Sequence, residues 1–110
     1  MKLLEPEFEH KDDRRLLQQL FTADVKQVNY YRAKRGAVLG KHFHKETVEY
    51  FLITKGTIIY NESKVLNKGE CFVVYPEEEH TLDCITDVDL VSFLSKPYSE
   101  EEKDIWKKES

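Results

Sequence analysis

The feature that most constrains the fold is a change in local residue composition at Val25. From Val25 to about Ser95 the chain consists of short runs rich in Val, Ile, Tyr, Phe and Thr, separated by turn signals. This pattern predicts short strands rather than helices. We place the strands at residues 25–33, 37–43, 48–54, 57–61, 63–66, 71–75, 80–85 and 88–94. So many short strands at this spacing predict an all-β fold, either a sandwich or a small barrel.

The two flanks of this region carry helix signals. Leu16, Leu17 and Leu20 have helical spacing, and Asp12 or Asp13 could act as the cap, so we predict a short helix over residues 13–21. The pair formed by Ser99 and Glu102 has the spacing of a capping box. This pair predicts a terminal helix over residues 100–107, which Ile105 and Trp106 would anchor.

These signals divide the chain into three predicted parts. Residues 1–24 form an N-terminal arm, residues 25–96 form the β domain, and residues 97–110 form a C-terminal helix. A chain of 110 residues fits one domain and leaves no room for two independent cores.

Composition narrows the class of protein. The net charge is −4, from 17 basic and 21 acidic residues, which argues against a nucleic-acid binder because neutralising phosphates needs a basic face. No apolar run approaches the roughly 20 residues that a membrane span needs, and we expect no secretory signal. Cys71 and Cys84 form no Cys-x-x-Cys pair, so we interpret both as reduced core residues. We therefore expect a cytoplasmic location.

Candidate metal ligands lie between Gly36 and Gly56. His42 and His44 are two residues apart on an apparent strand, so both side chains would leave the same face. If residues 48–54 return as the next strand, Glu49 faces the same interior. Imidazole and carboxylate groups together suit a divalent transition metal such as Zn, Fe, Mn, Ni or Co. Glu46 is a competing carboxylate.

His80 is the fourth candidate ligand. It follows Gly69 by eleven residues, across the predicted strand at 71–75 and a turn led by Pro76. That length allows His80 to reach a second strand opposite His42 and His44. A single histidine after a run of glutamates is ordinarily a solvated surface residue, but as a member of this set it is better interpreted as a ligand.

These residues resemble the two motifs of the cupin superfamily. The stretch Gly36-x5-His42-x-His44-x4-Glu49-x6-Gly56 resembles the first motif without gaps. The stretch Gly69-x5-Tyr75-Pro76-Glu77-Glu78-Glu79-His80 resembles the second motif. It departs from that motif at three positions: the usual Pro, Gly and Asn are replaced by Tyr75, Glu77 and Cys84. The resemblance implies a double-stranded β-helix, or jelly-roll barrel. It also implies that His42, His44, Glu49 and His80 hold one metal ion at the barrel mouth, with positions open to water or substrate.

Within the superfamily, the segments at 42–45 and 49–53 are similar to sugar-nucleotide-modifying cupins. These include the 3,4-ketoisomerases and the C-terminal cupin of capsular-polysaccharide epimerase/reductases. The chain departs from that group at Leu39, where the group usually carries an arginine that would serve a diphosphate. The acidic run at Glu77, Glu78 and Glu79 would also repel a diphosphate.

The resemblance implies a metal-dependent isomerase or epimerase acting on a small carbohydrate-type substrate. The alternatives are a dioxygenase using Fe or a similar metal, and a non-enzymatic cupin that binds a small ligand, because fold and ligand set do not decide function. The sequence assigns no catalytic residue, although a His or Tyr at the mouth could carry the proton. Four tyrosines are candidates for the pocket wall, with core or interface filler as the commoner role: Tyr30, Tyr31, Tyr50 and Tyr60.

The expected partners are a small-molecule substrate and a second copy of the chain, with no nucleic acid and no membrane. Tyr50, Leu52 and Thr54 alternate with the inward-facing residues of their predicted strand, so the outer face of the sheet is also apolar. A small barrel gains stability by covering such a face. We therefore expect a homodimer.

Overall fold

The computed structural model describes residues 1–107, and these residues form an all-β fold of eleven strands without a helix. The strands are β1 (Lys2–Leu4), β2 (Phe8–Lys11), β3 (Leu16–Gln19), β4 (Gln27–Ala33), β5 (Val38–His42), β6 (Glu49–Lys55), β7 (Thr57–Tyr60), β8 (Lys64–Asn67), β9 (Cys71–Val74), β10 (His80–Cys84) and β11 (Val88–Leu94). The eight strands predicted between residues 25 and 94 are confirmed, with differences of one or two residues at their ends. Within the described part of the chain, no helix is long and apolar enough to cross a membrane.

The strands form two antiparallel sheets and a separate hairpin. The larger sheet has the order β1-β9-β6-β11-β4, the smaller sheet has the order β5-β10-β7-β8, and β2 pairs only with β3. Neither large sheet closes on itself. The result is a β-sandwich, which agrees with the predicted double-sheet architecture but not with a closed barrel.

The core lies between the two sheets. β6, β10 and β11 alternate buried and partly exposed residues, as expected for strands with one face against a core. The larger sheet contributes Phe51, Ile53, Phe72, Val74, Val88 and Leu90, and the smaller contributes Ile58, Tyr60, Leu66, Leu82 and Cys84. Cys71 and Cys84 are both buried and free, which confirms their interpretation as core residues.

The turn between β6 and β7 requires Gly56. Its φ is +87°, and a Cβ added there would lie 2.1 Å from the carbonyl oxygen of Asp87. Any side chain at this position would therefore clash with the backbone of Asp87, and the positive φ would strain the backbone of the substituted residue. Gly56, which ends the first motif, thus allows the close approach of two chain segments.

The predicted N-terminal helix over residues 13–21 is wrong. The segment forms one side of the β2–β3 hairpin, in which Lys11 pairs with Leu16. Asp12 does act as a cap, but of a turn: its Oδ1 accepts the backbone N–H groups of Arg14 and Arg15 at 2.8 and 3.1 Å. An Asp carboxylate accepts backbone N–H groups both at helix N-termini and in hairpin turns, so the sequence pattern alone could not distinguish the two.

The predicted C-terminal helix over residues 100–107 is also wrong. Ser99 Oγ accepts the N–H groups of Glu101 and Glu102, so the cap forms, but no helix follows it. Instead, Trp106 pairs with Phe43 in an isolated antiparallel bridge. A tertiary contact therefore overrides the local helix signal. The last three residues of the predicted helical region, 108–110, lie outside the described residues.

The outer face of the larger sheet is partly covered by the chain itself. Phe21, which follows the β2–β3 hairpin, stacks on Tyr50 with ring centres 4.3 Å apart and meets the edge of Phe93 at 5.2 Å. Leu52 on the same face remains partly exposed. The homodimer stays a prediction.

Candidate metal centre

The four predicted ligands come together at one end of the sandwich. His42 ends β5 and pairs directly with His80, which begins β10, while Glu49 begins β6 in the opposite sheet. β6 does not pair back with the strand of His42; it pairs with β9 and β11 in the larger sheet. Glu49 still faces the interior together with Phe51 and Ile53, since the two sheets face each other.

The distances within this group are short. One ring nitrogen from each of His42, His44 and His80 lies within 4.8 Å of the others. Glu49 Oε1 lies 3.1 Å from His44 Nε2 and 3.6 Å from His80 Nε2. The competing carboxylate, Glu46, is exposed and pairs with Lys96 Nζ at 2.6 Å, so it lies outside the group.

Burial and charge set the protonation of the histidines. Burial, together with the neighbouring His80 and His44, lowers the pKa of His42 to about 4, and burial also lowers the pKa of His80. Burial would lower the pKa of His44 too, but hydrogen bonds with Glu49 and with the backbone carbonyl of Asp104 outweigh it and raise the pKa. At neutral pH, His42 and His80 are therefore neutral and have a lone pair to offer.

The donor set fits a divalent transition metal. His44, Glu49 and His80 are each no more than 5% exposed, so a carboxylate and two imidazoles are removed from water side by side. Burying such groups is costly unless they are paired or coordinate a metal. Three imidazole nitrogens and one carboxylate oxygen match the ligand types of Zn and of Fe, Mn, Ni or Co. The three histidines could therefore hold one ion, and Glu49, which lies close to His44 and His80 but outside the mutually close group of three, is the candidate fourth ligand.

Gly40 allows the two histidine-bearing strands to approach each other. Its φ is +88°, and a Cβ added there would lie 2.7 Å from the carbonyl oxygen of His80. Gly36 has a similar φ of +90°, but a Cβ added there would meet nothing within 4 Å. A side chain at either glycine would strain the backbone, but only a side chain at Gly40 would also clash with the backbone of His80.

We expect Gly40→Ala to destabilise the chain more than Gly36→Ala. Both substitutions carry the cost of a positive φ, roughly 1–2 kcal/mol, but only Gly40→Ala forces a shift of the backbone at His80, which adds about 1–3 kcal/mol. Urea denaturation of the metal-free proteins measures the difference. Equal free energies of unfolding for the two variants would contradict the close approach at His80.

A cavity of about 460 Å³ opens above the four residues. β4 supplies a polar wall of Gln27, Asn29 and Tyr31, while Tyr98 and Ile105 from the C-terminal segment line another side. The apolar part of the lining consists of Val38, Leu39, Phe51, Leu82, Leu90 and Leu94. The cavity is large enough for a small organic molecule.

The sequence identified the cavity wall only in part. Of the four tyrosines considered, Tyr31 lines the cavity, whereas Tyr30 is exposed, Tyr50 faces outward, and the buried Tyr60 donates its hydroxyl to Glu78. Gln27 and Asn29 were missed. The alternation of residues 27, 29 and 31 along one predicted strand is the signal that could have found them.

Comparison with known proteins gives structural relatives only. No protein-family model and no curated protein sequence matches the chain. The 3,4-ketoisomerase QdtA from Thermoanaerobacterium thermosaccharolyticum is similar over 96% of this chain and 86% of its own, with a TM-score of 0.74 and 16% identity. The rmlC epimerase of Mycobacterium tuberculosis is similar over 93% and 71% of the two chains, with a TM-score of 0.71 and 18% identity.

A third relative is longer. The capsular polysaccharide assembling protein CapF from Staphylococcus aureus is similar over 94% of this chain, with a TM-score of 0.65 and 20% identity. The chain spans about a third of the length of CapF, 34%. At these identities the similarity concerns the fold. Together with the two facing antiparallel sheets, it shows that this chain shares the fold of these sugar-modifying proteins.

Proposed function

We propose that the chain is a metal-dependent isomerase or epimerase acting on a small carbohydrate-type substrate, a keto-sugar in free or nucleotide-linked form. The observation that carries the proposal is the convergence of His42, His44, Glu49 and His80 at the base of a cavity of about 460 Å³. A bound divalent ion would act there as a Lewis acid toward a carbonyl oxygen of the substrate.

The cavity wall supports a polyhydroxylated substrate. The side chains of Gln27 and Asn29 bond to each other, Nε2 to Oδ1 at 3.0 Å, and both line the cavity beside Tyr31. Amide groups can donate to and accept from sugar hydroxyls. The apolar lining, including Leu39 and Leu82, would exclude water from the bound sugar.

Tyr31 is our candidate for moving the proton. Isomerisation or epimerisation next to a carbonyl removes a proton from the adjacent carbon and returns a proton, and a positioned phenol can serve in such a transfer. Tyr98 also lines the cavity, but its hydroxyl donates to Glu100 Oε1 at 3.1 Å. We therefore assign the proton carrier to Tyr31.

The solved relatives support this reaction class. QdtA is a 3,4-ketoisomerase, solved as a mutant with TDP-4-keto-6-deoxyglucose, and NovW from Streptomyces spheroides is a 4-keto-6-deoxy sugar epimerase. These relatives lend no support to the dioxygenase alternative. The non-enzymatic alternative is an outcome of the test below.

We expect the metal-loaded protein to exchange the hydrogen next to the carbonyl of TDP-4-keto-6-deoxyglucose or of a free keto-sugar with solvent deuterium. Mass spectrometry of the sugar after incubation in D₂O measures this exchange. Tyr31→Phe should slow it by about 10²–10⁴-fold, the usual contribution of a general acid or base. Tyr30→Phe is the matched control, because Tyr30 neighbours Tyr31 but points to solvent from the opposite face.

The outcomes separate the hypotheses. Equal exchange rates in the two phenylalanine variants would reject Tyr31 as the proton carrier. Sugar binding without exchange in the wild-type protein would favour the non-enzymatic cupin. Neither binding nor exchange for any sugar tested would contradict the proposed substrate class.

A further inference from the structure

The C-terminal segment lies along the loop that carries His44. Phe43 and Trp106 exchange backbone hydrogen bonds, with Phe43 N–H donating at 2.8 Å and Trp106 N–H donating at 2.9 Å. Lys45 Nζ lies 3.7 Å from the centre of the Trp106 ring, a cation–π contact. Residues 104–106, which we call the C-terminal strap, therefore hold the loop at 43–47 from one side.

Asp104 makes most of the polar contacts of this strap. Its carboxylate accepts the backbone N–H groups of Lys45, Glu46 and Thr47 at 2.8–2.9 Å, and the Thr47 hydroxyl at 2.7 Å. Burial would raise the pKa of Asp104, but these four bonds hold it well below its usual range. One carboxylate therefore fixes three consecutive residues of the loop that follows His44.

The backbone of Asp104 contacts His44 directly. The Asp104 carbonyl oxygen lies 2.6 Å from His44 Nδ1. A carbonyl oxygen can only accept, so the proton of this hydrogen bond belongs to Nδ1. When the ring is neutral, Nε2 then has its lone pair; Nε2 donates to Glu49 Oε1, 3.1 Å away, only in the protonated ring.

We propose that Asp104 is a positioning residue for His44. Its side chain fixes the loop at 45–47, and its carbonyl selects the Nδ1–H tautomer and directs Nε2 toward Glu49, His42 and His80. This inference rests on the metal site proposed above. In metal proteins, a hydrogen bond to the second ring nitrogen of a ligating histidine orients the ring in this way.

The chain offers a conservative variant and a matched control for Asp104→Ala. Asp104→Asn keeps one acceptor oxygen, so it should retain part of the loop contacts. Asp12→Ala removes another carboxylate that accepts two backbone N–H groups, those of Arg14 and Arg15, in the β2–β3 hairpin away from the site. A merely structural role for Asp104 would make Asp104→Ala resemble Asp12→Ala.

We expect Asp104→Ala to weaken Co²⁺ binding by about 10–100-fold, the usual effect of losing such a partner. Asp104→Asn should have an intermediate effect, and Asp12→Ala should have none. Titration with Co²⁺ followed by its visible spectrum measures the affinity. If Asp104→Ala fails to fold, a Co²⁺ affinity of Asp104→Asn within twofold of the wild type would overturn the proposal.

A second measurement needs no metal. Two-bond ¹H–¹⁵N spectra of the metal-free protein at pH 8 report which nitrogen of each neutral histidine carries the proton. We expect Nδ1–H for His44 in the wild type and in Asp12→Ala. Asp104→Ala keeps the backbone carbonyl but loses the side-chain bonds that hold it beside His44, so we expect a shift toward Nε2–H in that variant. Nε2–H in the wild type, or an unchanged tautomer in Asp104→Ala, would overturn the positioning role. The expected tautomers without any Co²⁺ binding would instead overturn the proposed metal site.

Discussion

Replacing His44 by alanine is expected to abolish tight metal binding, whereas the wild-type protein should hold one divalent ion per chain. The binding free energy of a structural Zn²⁺ held by four ligands is about 10–16 kcal/mol. Loss of one ligand should therefore cost roughly 3 kcal/mol of binding free energy, which is more than a hundredfold in affinity. Elemental analysis after Zn²⁺ loading and gel filtration measures the occupancy. His42→Ala and His80→Ala should behave similarly.

The chain contains its own control for this experiment. His10 is the one histidine of the four in the sequence that lies away from the site; it is exposed in the β2–β3 hairpin, with Nε2 3.3 Å from Asp12 Oδ2. His10→Ala should therefore keep full occupancy. Full occupancy in His44→Ala would show that the ion, if bound, is held elsewhere.

Metal is expected to raise the melting temperature strongly at pH 7.5 and much less at pH 5. An ion that binds only the folded chain stabilises it by about 2.7 kcal/mol at a hundredfold excess over its dissociation constant. For a domain of this size, that corresponds to a rise of roughly 10 °C or more. Thermal melting with excess Zn²⁺ and with chelator, at both pH values, measures the gap.

The pH dependence follows from the directions of the histidine shifts. His44, whose folded pKa is raised, takes up a proton first as the pH falls, and a protonated ring cannot ligate a metal. The folded pKa values of His42 and His80 are lowered, so below about pH 6.5 the unfolded chain binds more protons at these two residues. Their contribution to the stability of the metal-free chain is therefore lost as the pH falls from about 6.5 toward 4.

His44 acts in the opposite direction in the metal-free chain. Its raised pKa contributes stability that is present below about pH 6.5 and is lost as the pH rises through its folded pKa. We expect His42 and His80, whose pKa values are lowered, to outweigh His44 in the pH dependence of stability. The chelated protein should therefore melt at a lower temperature at pH 5 than at pH 7.5. His42→Asn should reduce that difference. A metal-dependent gap of the same size at both pH values would mean that the ligands are not histidines.

The strands and the proximity of the four candidate ligands could be predicted because their signals are local. Alternation along β6, β10 and β11 follows from one buried face per strand, and the spacing of His42, His44 and Glu49 places all three near one turn. The partner strands of β6 could not be predicted in this way. Pairing of β6 with β9 and β11 depends on contacts between residues far apart in sequence, which a periodic pattern does not encode.

The flanking segments show where local signals mislead. Leu16 and Leu17 fit a helical spacing, but the chain pairs as a hairpin, and neither leucine is buried as an amphipathic helix would require. Ser99 forms its cap, but the bridge between Trp106 and Phe43 directs the chain along the loop instead. The role of Asp104 was missed for the same reason, since its contacts join residues more than 50 positions apart.

X-ray absorption spectroscopy of the Zn²⁺-loaded protein reports which atoms surround the ion, and so whether the three histidines and Glu49 hold it. We expect about three imidazole nitrogens and one carboxylate oxygen around the ion at roughly 2.0–2.2 Å, with the scattering from the outer ring atoms that histidine ligands produce. His44→Ala should remove one imidazole from this spectrum, and His10→Ala should leave it unchanged. A spectrum with no imidazole scattering, or with sulfur ligands from Cys71 or Cys84, would show that the ion is not held by the three histidines and Glu49.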